Sequence, residues 1–536
     1  MIANPILPGF NPDPSIIRVG DDYYIATSTF EWYPGVQIHH SRDLQHWRLV
    51  ARPLNRAALL DMRGNPDSGG IWAPCLSWQD GLFYLVYTNV RRLNGNFKDS
   101  HNYLTTCKTI DGEWSDPVYL NSSGFDPSLF HDEDGRKWLV NMVWDYRADK
   151  NRFGGIYLQE YDANQGQLVG EVRNIFRGTP LGLTEAPHLY KRGEYYYLIT
   201  AEGGTGYTHA MTIARSKNLA GPYEVDSQGY MLTAKDSPGS ELQRCGHGDI
   251  VEAPDGNTYV VHLCGRPLKE VRRCPLGRET SLQRAKGSDD GWLRLDGATA
   301  DGLPQSQLPA PGLPEHPWPE ETHHHEFDAG ELPKEFQWLR TPEPERIMSL
   351  ADRPGFLRLY GKESLGSWFE QALVARRQES FKYQAETCME FAPKTFQQTA
   401  GLVCYYNTHK HHYLYVSVDE DGNRFVDIMS CEGDTSTDST FPLGPQQSSP
   451  RHQLPDAGPV WLRCDVDHAQ LHFSWSVDGQ SWQQLPVTLD HSLISDEAGS
   501  GEGASFTGAF VGVCCQDLSG GNLPADFDCF YYTELD

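Results

Sequence analysis

Gly20-Asp21-Asp22-Tyr23 is the first of five copies of one short pattern: a glycine, two further residues, an aromatic, then apolar alternation. The others are Gly81-Leu82-Phe83-Tyr84, Gly135-Arg136-Lys137-Trp138, Gly193-Glu194-Tyr195-Tyr196 and Gly256-Asn257-Thr258-Tyr259. Their aromatics stand 61, 54, 58 and 63 residues apart. Ahead of each glycine comes a second marker: Pro14, Pro74, Pro127 and Pro187, with Asp249 in the fifth copy. A short apolar run joins marker to glycine, as in Ser15-Ile16-Ile17 and Ser128-Leu129-Phe130. Each unit reads as strand, turn, strand, with further strands behind. Some units close on a third marker, Ser41-Arg42-Asp43-Leu44 in the first and Ser216-Lys217-Asn218-Leu219 in the fourth. Five such units predict an all-β, five-bladed β-propeller. Period-2 alternation and the many β-branched and aromatic residues argue against a helical array. A β-sandwich with accidental similarity is the alternative.

The chain has 536 residues, too many for one ordinary core. Its character changes between Asp301 and Thr322, where Pro304, Pro309, Pro311, Pro314, Pro317 and Pro319 interrupt any periodicity. That stretch reads as a linker. Alternation then returns, as in Phe356-Leu357-Arg358-Leu359-Tyr360 and His412-Tyr413-Leu414-Tyr415-Val416, with turn signals such as Val477-Asp478-Gly479. The expected organisation is a catalytic propeller over residues 1–300, a linker over 301–322 and a β-sandwich over 323–536.

A formal charge of −27 argues against nucleic acid or an anionic membrane surface as partner. The 26 Tyr, 22 Phe and 14 Trp suit a neutral sugar, whose ring an aromatic face can cover. The 12 cysteines form no CxxC pair and often sit inside apolar runs, where a thiol acts as a small hydrophobe. No apolar run approaches the roughly 20 residues that span a bilayer. Unpaired thiols, with no basic and apolar leader at Met1-Ile2-Ala3-Asn4-Pro5, point to the cytoplasm.

The innermost strands of a propeller run along its axis, so residues at one end of them converge from different blades. The repeat alignment places Asp13, Trp72, Asp126, Glu185 and His247 at that end. Three blades thus bring a carboxylate to the axis. Glycoside hydrolysis uses two such groups, an acid for the leaving oxygen and a carboxylate for the attacking side. Their pKa values must be pushed apart, and a third carboxylate can do this by repulsion. Asp before Pro is also a common turn former, which is the plainer reading of Asp13 or Asp126 alone. Glu185, within Leu183-Thr184-Glu185-Ala186-Pro187-His188-Leu189, is harder to explain as structure, because an apolar flank solvates a carboxylate poorly.

The run Gly9-Phe10-Asn11-Pro12-Asp13-Pro14-Ser15-Ile16 resembles the opening motif of glycoside hydrolase family 43, and of its two-domain β-xylosidases in particular. Ala26-Thr27-Ser28-Thr29-Phe30-Glu31-Trp32, Gly69-Gly70-Ile71-Trp72-Ala73-Pro74, Gly124-Phe125-Asp126-Pro127, Thr184-Glu185-Ala186-Pro187-His188 and Cys274-Pro275-Leu276-Gly277-Arg278-Glu279-Thr280 carry it onward. Ser505-Phe506-Thr507-Gly508 and Pro524-Ala525-Asp526-Phe527-Asp528 extend it to the C-terminus. The resemblance implies an exo-acting, inverting enzyme that releases xylose from β-1,4-xylo-oligosaccharides. It makes Asp13 the general base, Glu185 the general acid and Asp126 the group that orients Glu185 and raises its pKa. Base and acid carboxyls would then stand roughly 6.5–9.5 Å apart.

By the same resemblance Phe30, Trp72 and Trp144 wall the sugar pocket, although each also suits propeller core. Arg278 would contact the sugar, and Phe506 would bring the sandwich to the pocket mouth. His247 stands on the axis, where some relatives hold calcium; with an arginine at the site the ion is not expected to be required, and no other cofactor is implied. His323-His324-His325 reads as solvated surface rather than a metal site. The short connection from Gly265-Arg266-Pro267-Leu268 to Cys274 leaves leaving-group preference open. Similar enzymes form dimers or tetramers, so a homo-oligomer is expected. The rivals are an α-L-arabinofuranosidase or dual-function enzyme on the same scaffold, a catalytically silent sugar-binding propeller and an unrelated interaction propeller.

Overall fold

The computed structural model describes residues 1–298, 302–433, 451–498 and 505–535. Among them the regular elements are strands, apart from the short 3-10 turns Pro344–Arg346 and His491–Leu493. Two compact units emerge. The first comprises Met1–Leu60, Ser68–Arg266 and Arg278–Trp318; the second comprises Asp61–Asp67, Pro267–Gly277 and Pro319–Asp536.

The first unit is a five-bladed propeller. Its first blade orders Ser15–Val19, Asp22–Thr27, Gln37–Ser41 and Arg48–Ala51 from the axis outward. The innermost strands of the next four blades are Gly70–Gln79, Ser128–His131, Glu185–Arg192 and Gln243–Glu252. Each lies beside the innermost strand of the next blade, and the fifth returns to the first. Every blade is antiparallel, as tight turns between consecutive strands require. The repeat glycines occupy the turn between first and second strand, with Gly20, Gly81, Gly135, Gly193 and Gly256 at φ 64, 78, 85, 56 and 81°. A Cβ on any of them would meet nothing within 4 Å. Backbone conformation, not space, therefore accounts for the glycine that recurs in all five copies.

The ring is closed by its N-terminal segment. Ile2–Ala3 pairs with Gln307–Leu308, and Leu7 bridges to Thr280 on the fifth blade. Between them the buried Asn4 side chain donates to the carbonyls of Leu282 and Gln305 at 2.8 and 2.9 Å and accepts from the Leu282 N–H at 2.8 Å. Neighbouring blades are stitched near the axis as well. The Ser15 hydroxyl donates to Asp249 at 2.9 Å and accepts from Leu76 N–H at 3.1 Å, and Ser128 donates to the Pro187 carbonyl at 2.5 Å.

The proline-rich stretch differs from the expected tether. Asp301 lies outside the described residues, but the segment up to Trp318 belongs to the first unit. Besides the Gln307–Leu308 pairing, His316 N–H donates to Asp43 at 2.7 Å and the Trp318 indole donates to the His46 carbonyl at 3.1 Å. Arg48 lies 3.8 Å over the Trp318 ring. Composition reported many prolines correctly, yet prolines that cannot extend a sheet can still run along one.

The second unit is a β-sandwich. One sheet runs in the order His452–Gln453, Arg424–Glu432, Lys410–Val418, Gln398–Asn407, Phe510–Asp517, Ala372–Arg377 and Gln337–Leu339. The other runs Met348–Ser349, Leu357–Tyr360, Pro524–Glu534, Lys382–Glu390, Val460–Asp467, Gln470–Ser476 and Gln483–Asp490. Leu402, Leu414, Val416 and Val513 of the first meet Leu359, Ala385, Leu462 and Phe473 of the second in one apolar core. None of the 12 cysteines forms a disulfide and all are buried, several of them in this core. The histidine triplet is a structural clamp rather than bare surface: His323 and His325 both bond to Glu335, which Arg376 also holds at 2.8 Å.

Asn4→Ala leaves the Leu282 carbonyl and N–H unpaired at the closure, while the Gln305 carbonyl keeps the Gln283 amide, and is expected to destabilise the chain by about 2 kcal/mol. Chemical denaturation of the purified variant measures this; a midpoint equal to wild type would remove Asn4 from the closure.

Candidate active site

At the axis end of the innermost strands the ladders are irregular. Register shifts fall between Trp72 and Cys75, between Glu185 and His188, and on both sides of Gly246. Such bulges re-aim side chains that a regular pleat would point elsewhere. The backbone is also held in the left-handed region at Asp13 (φ 55°), Phe30 (52°), Asp126 (53°), Ala186 (50°) and His247 (37°). Non-glycine residues rarely adopt it, and their concentration here marks the site.

Asp13, Asp126 and Glu185 are all buried, at 4, 7 and 9 % exposure. Asp13 accepts from the Ser28 hydroxyl at 2.6 Å and from the Arg278 guanidinium at 2.8 Å, with His247 Nδ1 at 3.5 Å. Burial works to raise its pKa, but the Arg278 charge, His247 and the Ser28 bond outweigh burial and hold the carboxyl below its ordinary 3.8. Glu185 has the opposite fate. Burial and then the negative charge of Asp13 push its pKa up, against the weaker pull of Arg278 and Lys98. Asp126 is raised as well, by burial, Glu185 and Asp13, and accepts the Ala186 N–H at 3.2 Å. One carboxyl is thus kept ionised while a neighbour it repels is kept protonated, the division of labour that acid–base cleavage of a glycosidic bond needs.

Aromatic rings surround these groups. Phe10 and Phe30 stand 5.7 Å apart, Phe30 and Trp72 6.1 Å, Trp72 and Phe125 5.0 Å, and Phe125 and Trp144 6.4 Å. Phe30, Trp72 and Trp144 are therefore brought together as expected, with Trp144 half-buried. Arg278 is buried 5.2 Å from the Phe30 ring centre. His247 is buried and its pKa is depressed to about 4, first by burial, so it is neutral near pH 7. Phe506 belongs to the second unit, on the stretch before Phe510–Asp517, where the next residue, Thr507, donates its N–H to the Tyr406 hydroxyl at 3.0 Å.

Three participants escaped the sequence reading. Ser28, within a quoted motif, bonds Asp13 directly. Lys98 lies on the connection between Leu82–Arg92 and Asp99–Cys107, outside every repeat marker. Its ammonium is 4.6 Å from the Trp144 ring centre and 5.5 Å from that of Trp72, and burial lowers its pKa to about 8. His209 is fully buried and held neutral near the Asp13–His247–Arg278 cluster. A Cβ at Gly246 would sit 2.2 Å from the His209 ring, which explains a glycine beside His247.

Calcium at His247 finds a poor donor set. Among the described residues no group of three or more His, Cys, Asp or Glu side chains is arranged to hold a metal. The carboxylate beside His247 is already neutralised by Arg278.

The fold and the opposed carboxyls define a glycoside hydrolase. Comparison with known proteins agrees: the family "Glycosyl hydrolases family 43" matches residues 2–293, and "Beta xylosidase C-terminal Concanavalin A-like domain" matches residues 324–533. The Xylosidase/arabinosidase 43B of Humicola insolens is 55 % identical over 99 % of this chain and 97 % of its own length. A beta-xylosidase of Bacillus subtilis is 49 % identical over 99 % of both chains. The crystal structure of a xylan beta-1,4-xylosidase from Bacillus halodurans C-125 superposes with a TM-score of 0.96, at 51 % identity and 100 % coverage of each chain. The chain belongs to glycoside hydrolase family 43.

Arg278→Met removes the cation that keeps Asp13 ionised, leaving burial unopposed by it. The pKa of Asp13 then rises, and the acidic limb of kcat/KM should move to higher pH by about one to three units. A pH profile of the variant whose acidic limb stays in place would detach Arg278 from Asp13.

Proposed function

We propose that this chain is an exo-acting β-xylosidase that releases xylose from β-1,4-xylo-oligosaccharides with inversion. The observation that carries the reading is the opposed charge state of two buried carboxyls, Asp13 held below and Glu185 held above the ordinary range. Asp13 takes a proton from a water whose oxygen bonds the anomeric carbon. As the bond from that carbon to the bridging oxygen breaks, Glu185 gives its proton to the oxygen that leaves. Asp126 accepts the Ala186 N–H and so fixes the backbone next to Glu185, and its electrostatic coupling to Glu185 keeps the two from ionising together. Phe30, Trp72 and Trp144 offer apolar faces to the sugar, while Arg278, Lys98 and His247 offer donors to its hydroxyls. No metal or cofactor is required in this scheme. The names of the similar proteins, xylosidases throughout the three cited, support the sugar assignment. The name Xylosidase/arabinosidase of one of them also favours a second activity on α-L-arabinofuranosides. Twelve buried cysteines without a disulfide support a reducing, cytoplasmic setting, and assembly into a dimer or tetramer is part of the same proposal.

Proton NMR of p-nitrophenyl β-xyloside hydrolysis is expected to show α-xylose first; β-xylose as the first anomer would overturn inversion. Asp13→Ala should lose about a thousandfold in kcat on every substrate. Glu185→Ala should lose that much on xylobiose but far less on p-nitrophenyl xyloside, whose leaving group needs no proton. Equal losses on both substrates would remove Glu185 from the acid role, and a fully active Asp13→Ala would leave only a sugar-binding propeller.

A further inference from the structure

Two aromatic rings at the edge of this site have no part in the scheme above. Phe97 and Tyr146 are 58 and 53 % exposed, yet their ring centres lie 5.0 Å apart at 44°. Phe97 precedes Lys98, whose ammonium caps the Trp144 and Trp72 rings, and Tyr146 follows Trp144 by two residues. The loops carrying them are tied to each other. The Trp144 indole donates to the Asn96 carbonyl at 2.8 Å, and Arg152 donates to the Asn96 side chain. Each loop is also braced internally: Lys98 donates to the Leu93 carbonyl at 3.0 Å, and Asp145 N–H to the Arg152 carbonyl at 2.9 Å, while the Asp145 carboxylate accepts from Arg147 at 2.6 and 2.8 Å. The pair is therefore presented on a fixed support, continuous with the aromatic series that runs from Phe10 through Phe30, Trp72 and Phe125 to Trp144.

We propose that Phe97 and Tyr146 form a leaving-group subsite that holds the third xylosyl unit from the non-reducing end of a xylo-oligosaccharide. This rests on the xylosidase reading and extends it to chain-length preference. A xylosyl ring is neutral, lacks a hydroxymethyl arm and presents C–H groups on a flat face, which matches a notch of two exposed rings. Covering those rings removes apolar surface from water at little ordering cost, because the support is already braced. A unit bound there belongs to the leaving group, so its binding raises kcat/KM on substrates of three or more units and leaves xylobiose out of reach.

The test compares kcat/KM on xylobiose and xylotetraose for the full chain and for Phe97→Ala/Tyr146→Ala. The ratio of xylotetraose to xylobiose is expected to fall about tenfold in the double variant, equal to about 1.4 kcal/mol, whereas Tyr146→Phe keeps the wild-type ratio. A double variant whose ratio stays within about twofold of wild type overturns the subsite. So does a change in solution mass by light scattering without a change in ratio, which would assign the rings to contact between copies. Wild-type failure on both oligosaccharides would instead strike the xylosidase reading itself.

Discussion

The contact between Arg278 and Asp13 joins the two ends of the propeller and sets the charge state of the site. Asp13 opens the first blade; Arg278 precedes the Glu279–Gly287 strand of the fifth. Their 2.8 Å ion pair is buried on both sides, and the Arg278 carbonyl also accepts the Asn11 N–H at 3.0 Å. Removing one partner from such a pair leaves a buried charge uncompensated, which is far more disruptive than loss of an exposed bridge. Ring closure therefore has a chemical consequence. If the N-terminal segment slipped along the fifth blade, Asp13 would lose the cation that keeps it basic.

That ionised Asp13 is also the charge that raises Glu185. Burial raises the acid first and the ionised base adds to it, so the two states are linked rather than set by two independent pockets. Lys98 moderates the effect. Its positive charge favours ionised Glu185, but burial weakens the lysine's own hold on a proton, which limits how far it can lower the acid. Neutral His247 and His209 add polar groups near Asp13 without adding further cations around neutral pH.

The repeat was legible because its signal is backbone chemistry. A turn that needs positive φ in five places writes five glycines, and a strand that must start at the axis writes a recurring marker before it. The three carboxylates followed from aligning those markers. Lys98, His209 and Ser28 were not visible in that way, since each enters from a second or third strand or a connecting loop, whose length and register differ between blades. Trp144 and Arg278 were reached by resemblance alone. The stretch after Asp301 was misread for a related reason: proline content reports what a segment cannot do within a sheet, and says nothing about surfaces it can lie against, such as the Asp43–Trp47 turn.

The two ends of the innermost strands make the same demand on the backbone and meet it differently. At the turn end, left-handed φ falls on the five repeat glycines, with open space around them, and in one blade on Asp80 as well. At the axis end it falls on Asp13, Asp126, Ala186 and His247, where each residue costs about 1–3 kcal/mol in strain. Asp accepts that region better than most residues, but Ala and His gain nothing from it, and glycine would relieve them all. Relief is available at one end and refused at the other. A structural role does not explain the refusal, because turns of the same hand are built from glycine in the same blades. The side chains themselves are what the axis end retains, and the strain is stored where carboxyl and imidazole groups must point inward against the pleat.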